Sequence, residues 1–338
     1  MSRFYLDHNA TTPLRAGARS VMIAAMDALG NPSSVHAEGR AAKGLVEHAR
    51  AQVAAAVGCN LAEVIFTSGA TEAASVLATA VGGVAVEPTA HDALWAHRRE
   101  GEAAVYAMGL ANGETGVLSD PVTTGPRLLL DITQAVGRIP FAFGWSGADM
   151  AVLSAHKLGG PKGIGALILR DGIEGLALQR GGGQEMGRRS GTENVIGIAG
   201  FGTAIEAALR DLADGVWHRV AQLRNILEEA VEAASPETNF IGQGAARLPN
   251  TSCFSTPGWK GETQVMAMDL SGFAISAGSA CSSGKVRESR VLRAMGYAPE
   301  VASSAVRVSL GPETTEAEVL QFAQVWARTL KKRHARAA

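Results

Sequence analysis

The run Met150-Ala151-Val152-Leu153 is short and wholly apolar, the pattern of a strand buried on both faces. It stops at Ser154-Ala155-His156-Lys157, and a loop containing Gly159, Gly160, Pro161 and Gly163 follows. In open α/β sheets, ligands bind beyond the carboxyl ends of the strands. Lys157 therefore stands at the ligand end of its strand. A lysine held in a partly desolvated pocket loses proton affinity and becomes an amine nucleophile able to form a Schiff base. An isolated lysine in a turn is more often simply exposed. Here Ser154 and His156 flank it, and the glycines that follow let a ligand approach the backbone.

Two further strand ends carry chemistry. Glu63 to Thr67 reads as a strand, followed by the turn Ser68-Gly69-Ala70-Thr71-Glu72 and an alanine-rich helix to about Val81. Unpaired amides and the helix dipole favour an anion at such a turn, although Ser and Thr also serve there as plain caps. Leu128-Leu129-Leu130 is a second apolar strand, and it ends in Asp131, followed by Ile132-Thr133-Gln134. An acid at that place is either at the ligand end of the sheet or the cap of the next turn. Shorter strands are expected at Val84–Val86, Ala103–Ala107 and Gly165–Leu169. Helical spacing appears at Arg15–Leu29, His36–Val57, His91–Arg99 and Asn194–Leu212. A long loop rich in Gly and Arg spans Arg180–Asn194, and loops of that length are often functional.

From about Val216 the texture changes. Helices at Val216–Ala234, Glu262–Leu270 and Thr315–Arg333 alternate with strands near Asn239–Ile241, Thr251–Phe254, Phe273–Ser276 and Ser303–Leu310. This is the pattern of a smaller α+β domain. The division expected is 1–14 as an N-terminal segment of the small domain, 15–212 as the large domain, and 213–338 as the small domain. Cys253 falls inside a strand and reads as core. Cys281 falls in Gly278-Ser279-Ala280-Cys281-Ser282-Ser283-Gly284, a small polar loop where an exposed thiol would be reactive.

Of the 338 residues, 46% are hydrophobic, and the formal charge is −1. That balance gives no electrostatic case for nucleic acid or an anionic membrane. The 3 cysteines make neither a disulfide framework nor a zinc spacing. No signal-peptide core and no bilayer-length apolar run is evident, so a cytoplasmic protein is expected, without a metal.

A strand-end lysine, a strand-end acid and a phosphate-sized turn are what pyridoxal 5'-phosphate (PLP) requires of a protein. The motifs Asp7-His8-Asn9-Ala10-Thr11-Thr12, Thr67-Ser68-Gly69-Ala70-Thr71-Glu72, Asp131-Ile132-Thr133-Gln134, Ser154-Ala155-His156-Lys157, Arg189-Ser190-Gly191-Thr192 and Gly278-Ser279-Ala280-Cys281 occur in that order. Together they resemble the cysteine desulfurases of the class V aminotransferase family, over nearly the whole chain. The resemblance implies a fold-type I PLP-dependent transferase: a mostly parallel central sheet flanked by helices, with a smaller α+β C-terminal domain.

The resemblance also implies roles. Lys157 would carry PLP and move protons at the substrate α-carbon. Asp131 would pair with the pyridine nitrogen, Gln134 with the ring hydroxyl, and His91, a catalytic residue, would stack on the ring and assist proton transfer. Ala70, Thr71, Ser154 and His156 would bind the phosphate. Thr192 would reach the phosphate of a partner subunit, which implies a homodimer. Arg307, with Asn31 nearby, would hold the carboxylate of L-cysteine, as the planar guanidinium fork suits. Cys281 would take the sulfur as a persulfide and pass it to a protein acceptor, for iron–sulfur clusters or thio-modification. Other readings of the same resemblance are a selenocysteine lyase or another class V enzyme, and a catalytically weakened paralogue that acts as a binding partner.

The sequence departs from the family in two places. Gly113 stands where the family usually has an Asn expected to contact the ring hydroxyl and the substrate carboxylate; Gly113 has no side chain to do so, and the neighbouring Asn112, the candidate to compensate, is expected to point its side chain elsewhere. The segment 73–130 is also shorter by roughly forty residues, about one βα unit.

Overall fold

The computed structural model describes residues 3–173, 177–278 and 288–337. The strands are β1 (Phe4–Tyr5), β2 (Val64–Thr67), β3 (Gly83–Val86), β4 (Ala103–Gly109), β5 (Arg127–Asp131), β6 (Met150–Ser154), β7 (Gly165–Leu169), β8 (Asn239–Phe240), β9 (Thr251–Ser255), β10 (Phe273–Ala274), β11 (Ser276–Ala277) and β12 (Ala305–Ser309). The helices are α1 (Ala16–Met26), α2 (Ala37–Val57), α3 (Ala70–Ala74), α4 (Asp92–Trp95), α5 (Val195–Ala213), α6 (Val216–Ala234), α7 (Gly261–Leu270), α8 (Arg290–Ala294), α9 (Pro299–Ser304) and α10 (Glu316–Ala337). The chain divides into two compact units. One comprises residues 11–111 and 119–213, and the other residues 1–10, 112–118 and 214–338.

The larger unit is built on a sheet of order β2-β7-β6-β5-β4-β3. Strands β3 to β6 are parallel neighbours, while β7 runs antiparallel to both β6 and β2. Both faces are covered, which is why these strands read as continuous apolar runs. Their side chains still alternate with a period of two. Leu128, Leu130, Ala151 and Leu153 pack with α2 and α5 on one face. Leu129, Met150 and Val152 join Ala73, Ala74 and Leu94 on the other. Truncating one of these side chains, as in Leu129→Ala, would cost about 2–5 kcal/mol. Helix α5 approaches α2 closely because position 202 is glycine; a Cβ there would lie 2.8 Å from the Ala49 Cα.

Within residues 73–130, β3 forms the edge of this sheet. The chain returns from β3 to β4 through α4 alone. The helix expected from His91 to Arg99 is only Asp92–Trp95. Arg99 instead makes an antiparallel bridge to Val84, with N–H···O bonds of 2.9 and 3.0 Å. Its guanidinium also donates to the carbonyls of Ala80 and Gly82. The outer edge of β3 is thereby partly paired by the polypeptide that follows it, a protection that exposed edges need. The alanine-rich helix expected to Val81 also stops early, and Ser75–Thr79 is a 3₁₀ segment. Ser75 and Thr79 each donate a hydroxyl to the carbonyl three residues back, which competes with α-helical bonding.

In the smaller unit, β11, β12, β9 and β8 form an antiparallel sheet, and β1 pairs with β10 in parallel. The strand expected over Phe273–Ser276 is divided between β10 and β11, which belong to different sheets. Trp326 of α10 stacks on Trp259 at 5.8 Å between centroids and meets Phe254 edge-on at 5.7 Å. Its buried indole N–H donates to the Gln264 carboxamide at 3.0 Å, so the aromatic core carries no unmet donor at that ring.

Candidate active site

Strands β5 and β6 lie side by side in parallel, with Asp131 opposite Val152. Asp131 ends β5 and Ser154 ends β6, so the acid and the Ser-Ala-His-Lys segment leave the sheet at the same, carboxyl edge. That is the ligand end of such a sheet. Lys157 closes a single 3₁₀ turn, Ala155–Lys157, and is half-buried. Its backbone carbonyl accepts from the Thr12 hydroxyl and from the Arg138 guanidinium, each at 2.9 Å. Arg138 also donates to the Gln134 carboxamide oxygen at 2.5 Å. Gln134 and Arg138 are both buried. A guanidinium inside the large unit thus links the residue expected at the ring hydroxyl to the backbone of the lysine. Asp131 Oδ1 accepts the Thr133 N–H at 2.9 Å, which fixes the carboxylate over the first turn beyond the strand. Asp131 thus ends β5 and holds the turn after it, and that turn does not continue into a helix.

The phosphate-sized turn stands beside this edge. Gly69 has φ +157°, and a Cβ there would lie 3.6 Å from the Ser154 hydroxyl. The turn therefore abuts the end of β6. Thr71 is exposed, Ala70 half-buried and Ser154 buried. His156 is half-buried and shares a 3.2 Å hydrogen bond with the Thr11 hydroxyl through Nδ1. Burial, and then the charges of Lys157 and Lys162, push its imidazolium pKa down to about 4. Cations crowd this edge, and an anion placed among them would relieve that crowding.

His91 is exposed at the start of α4, where its Nδ1 accepts the Ala93 N–H at 3.1 Å. Thr192 is exposed at the end of the Arg-rich loop. Asn31 is exposed, and its side-chain oxygen accepts the Ser33 N–H at 2.9 Å.

Glu72 closes the turn from the far side. Its carboxylate takes the Ser68 N–H at 2.8 Å and the Arg189 Nε at 2.9 Å. Burial raises its pKa, but the bonds from Arg189 and Ser68 outweigh burial and hold the carboxyl below its usual range. Sequence gave no sign of three of these partners. Arg138 and Arg50 look like surface cations in a linear reading. Glu185 sits in a polar tract, yet it is buried and takes both arms of Arg50 at 2.8 Å.

In the smaller unit Arg307 is buried in β12. Nη2 bonds Asp7 at 2.8 Å, and Nη1 donates to the Gly113 carbonyl at 2.9 Å. Nε is buried with no hydrogen-bond partner among the described residues. Asn112 uses its side-chain oxygen to accept from the amides of Glu114 and Thr115, each at 2.9 Å, and so holds the turn that contains Gly113. Cys281 lies outside the described residues. Of the two other cysteines, Cys59 is pushed up to about 12 by burial and then by Glu63, and buried Cys253 is raised well above its ordinary value, burial again first. Neither is a nucleophile at neutral pH. Among the described residues no cluster could hold a metal ion, and no helix is long and apolar enough to cross a membrane.

The sequence model of the class V aminotransferases matches residues 4–117 and 122–322. The chain belongs to the class V aminotransferase family. Within this family it is 40% identical over 384 residues to a cysteine desulfurase of Frankia sp. (strain EuIK1), a match covering 96% of this chain and 91% of that one. A cysteine desulfurase of Cereibacter sphaeroides is 36% identical, covering 96% and 95%. Among solved structures, the NifS-like protein from Rickettsia africae ESF-5 superposes with a TM-score of 0.88 at 29% identity, covering 97% of this class V chain and 99% of that one.

Proposed function

We propose that this chain is a PLP-dependent cysteine desulfurase that converts L-cysteine to L-alanine and retains the sulfur as a persulfide on Cys281. The observation that carries the reading is the placement of Lys157 and Asp131 at the carboxyl edge of two adjacent parallel strands, in a chain whose relatives over nearly full length are named cysteine desulfurases.

The residues fit the cofactor. An amine and a carboxylate stand at neighbouring strand ends, and a turn whose positive φ at Gly69 disfavours other residues abuts the Ser154 hydroxyl among three cationic or titratable side chains. Lys157 would hold the aldehyde carbon, Asp131 the ring nitrogen, Gln134 the ring hydroxyl, and Ala70, Thr71, Ser154 and His156 the phosphate, with His91 over the ring. When bound, PLP supplies an electron sink for charge developing at the substrate α-carbon.

The protein's part is positional and acid–base. Arg307, whose Nε has no hydrogen-bond partner among the described residues, orients the substrate carboxylate by charge and by that N–H. The Lys157 amine takes the proton from the α-carbon and returns a proton to the product. The Cys281 thiolate attacks the substrate sulfur, the C–S bond breaks, and the sulfur stays on Cys281. A protein acceptor then removes it, for iron–sulfur clusters or thio-modification. Thr192, exposed at the end of the Arg-rich loop, serves the phosphate of a second subunit, so the working form is a homodimer.

The test is direct. Purified protein should be yellow, should release alanine from L-cysteine, and should carry persulfide on Cys281. A Cys281→Ala variant should keep the colour and lose the persulfide; full desulfuration by that variant would reject the role. Faster turnover of selenocysteine than of cysteine would move the chain to the lyase reading.

A further inference from the structure

The Arg-rich loop is fastened to the large unit at two points. Glu185 takes Arg50 in a two-pronged, buried pair and also accepts the Phe66 N–H of β2 at 2.8 Å. Glu185 and the next residue, Met186, have φ of 47° and 57°, a conformation that non-glycine residues rarely adopt. The buried pair holds that kink in place. Four residues on, Arg189 meets Glu72 at 2.9 Å. Glu72 in turn fixes the first amide of the turn Ser68–Thr71. The chain leaves β2 at Thr67 directly into that turn, so the same loop braces the strand at Phe66 and the turn at Glu72.

Neither side chain of the Arg189–Glu72 pair is deeply buried; they are 23% and 24% exposed. An exposed ion pair contributes little to global stability. Its geometry instead ties the conformation of one turn to the position of one loop. Resting on the PLP reading above, we propose that Glu72 and Arg189 are positioning residues for the cofactor phosphate, holding the Ser68–Thr71 turn in its binding shape.

Electrostatics and positioning predict opposite signs here. Neutralising Glu72 removes a negative charge beside an anion site and releases Arg189 from its partner. By Coulomb attraction alone, PLP should then bind more tightly. If Glu72 acts by shaping the turn, PLP should bind less tightly. Pyridoxal, which lacks the phosphate, separates either effect from general damage to the fold.

The experiment titrates the cofactor-free full chain with PLP and with pyridoxal, following the absorbance change on binding, for wild type, Glu72→Gln, Arg189→Gln and the double variant. Thermal midpoints are measured alongside. The expected result is a PLP Kd about tenfold higher in each single variant. Pyridoxal Kd should stay within about twofold, and the double variant should be no worse than either single one, as for residues acting together. Arg189→Lys, which keeps the charge and most of the reach, should recover part of the loss. Unchanged or tighter PLP binding by Glu72→Gln overturns the proposal. So does equal weakening of both ligands, or any variant too unstable to titrate whose Lys partner variant shows no selective effect on PLP. Wild-type protein that binds neither ligand would overturn the PLP reading itself, an outcome distinct from a phosphate-independent effect in the variants.

Discussion

Arg307 and Asp7 form a buried ion pair at 2.8 Å in the smaller unit, and the Ser276 hydroxyl donates to the other Asp7 oxygen at 2.8 Å. Two paired strands, β11 and β12, therefore each send one side chain to the Asp7 carboxylate. A guanidinium held this way keeps its plane fixed while its other nitrogens remain directed. Removing it strands Asp7 in a site only 15% exposed, so Arg307→Ala should lose about 3–5 kcal/mol of stability, read by urea unfolding. Arg307→Lys keeps the charge but not the fork. It should raise KM for L-cysteine by about tenfold or more with little change in the cofactor spectrum. Unchanged KM in a folded Arg307→Lys protein would remove Arg307 from substrate binding.

His156 offers a pH test. Its folded-state pKa lies near 4, against 6.5 for an ordinary histidine, because burial and then Lys157 and Lys162 disfavour the charged ring. Between those values the unfolded chain binds a proton that the folded chain does not. The stability contributed is therefore intact above pH 6.5 and is lost progressively as pH falls towards 4. Wild type and His156→Asn should differ in unfolding free energy by an amount that changes between pH 7 and pH 5. A pH-independent difference would contradict the low pKa. Addition of PLP should move the His156 titration, followed by NMR, upward, since a phosphate beside the ring favours its charged form.

Gly165 sets how close β7 comes to the turn at Gly69. A Cβ there would sit 2.5 Å from the Leu153 carbonyl oxygen and 2.7 Å from the Gly69 Cα. Both neighbours are backbone, so neither can swing aside. Gly165→Ala should cost about 1–3 kcal/mol and weaken PLP binding by displacing Gly69. Gly44 is the contrast: it lies within α2 with nothing within 4 Å of its virtual Cβ. Gly44→Ala should stabilise by roughly 0.4–1 kcal/mol. Chemical unfolding of the two variants checks the opposite signs.

What sequence revealed, and what it hid, follows from where each signal is stored. Strands β5 and β6 were legible because burial on both faces leaves no room for polar residues, and their ends were legible because Asp131 and Ser154 interrupt that run. The turn at Gly69 was legible as strand, glycine and alanine-rich segment. The short α4 was not, because His91 to Arg99 has helical spacing, while the bridge between Arg99 and Val84 depends on which strand becomes the sheet edge. Arg50, Arg138 and Glu185 were hidden for a related reason. A charged residue is buried only when its partner is brought to it; beside the local Glu47, Arg50 has partners 135 residues away at Glu185 and 14 away at the Val64 carbonyl. The left-handed backbone at Glu185 and Met186 has no residue-type signal at all, since glycine usually marks such positions.

Arg138 deserves a test of its own because it connects two residues of the candidate site without being one of its motifs. Its guanidinium spans from the Gln134 carboxamide to the Lys157 carbonyl, and 4% of the residue is exposed. Arg138→Ala would leave the buried Gln134 oxygen without that donor and leave the Lys157 carbonyl more dependent on Thr12. Losing buried hydrogen bonds from a charged donor costs about 1–3 kcal/mol, which should lower the urea midpoint. Loosening the turn that carries Lys157 should also slow alanine release at saturating L-cysteine by about tenfold or more, because the amine must stay aligned with the α-carbon proton. Arg138→Lys supplies one charged nitrogen in place of two separated ones and should restore stability better than rate. Equal recovery of both, or a rate within about twofold of wild type in Arg138→Ala, would assign Arg138 to folding alone.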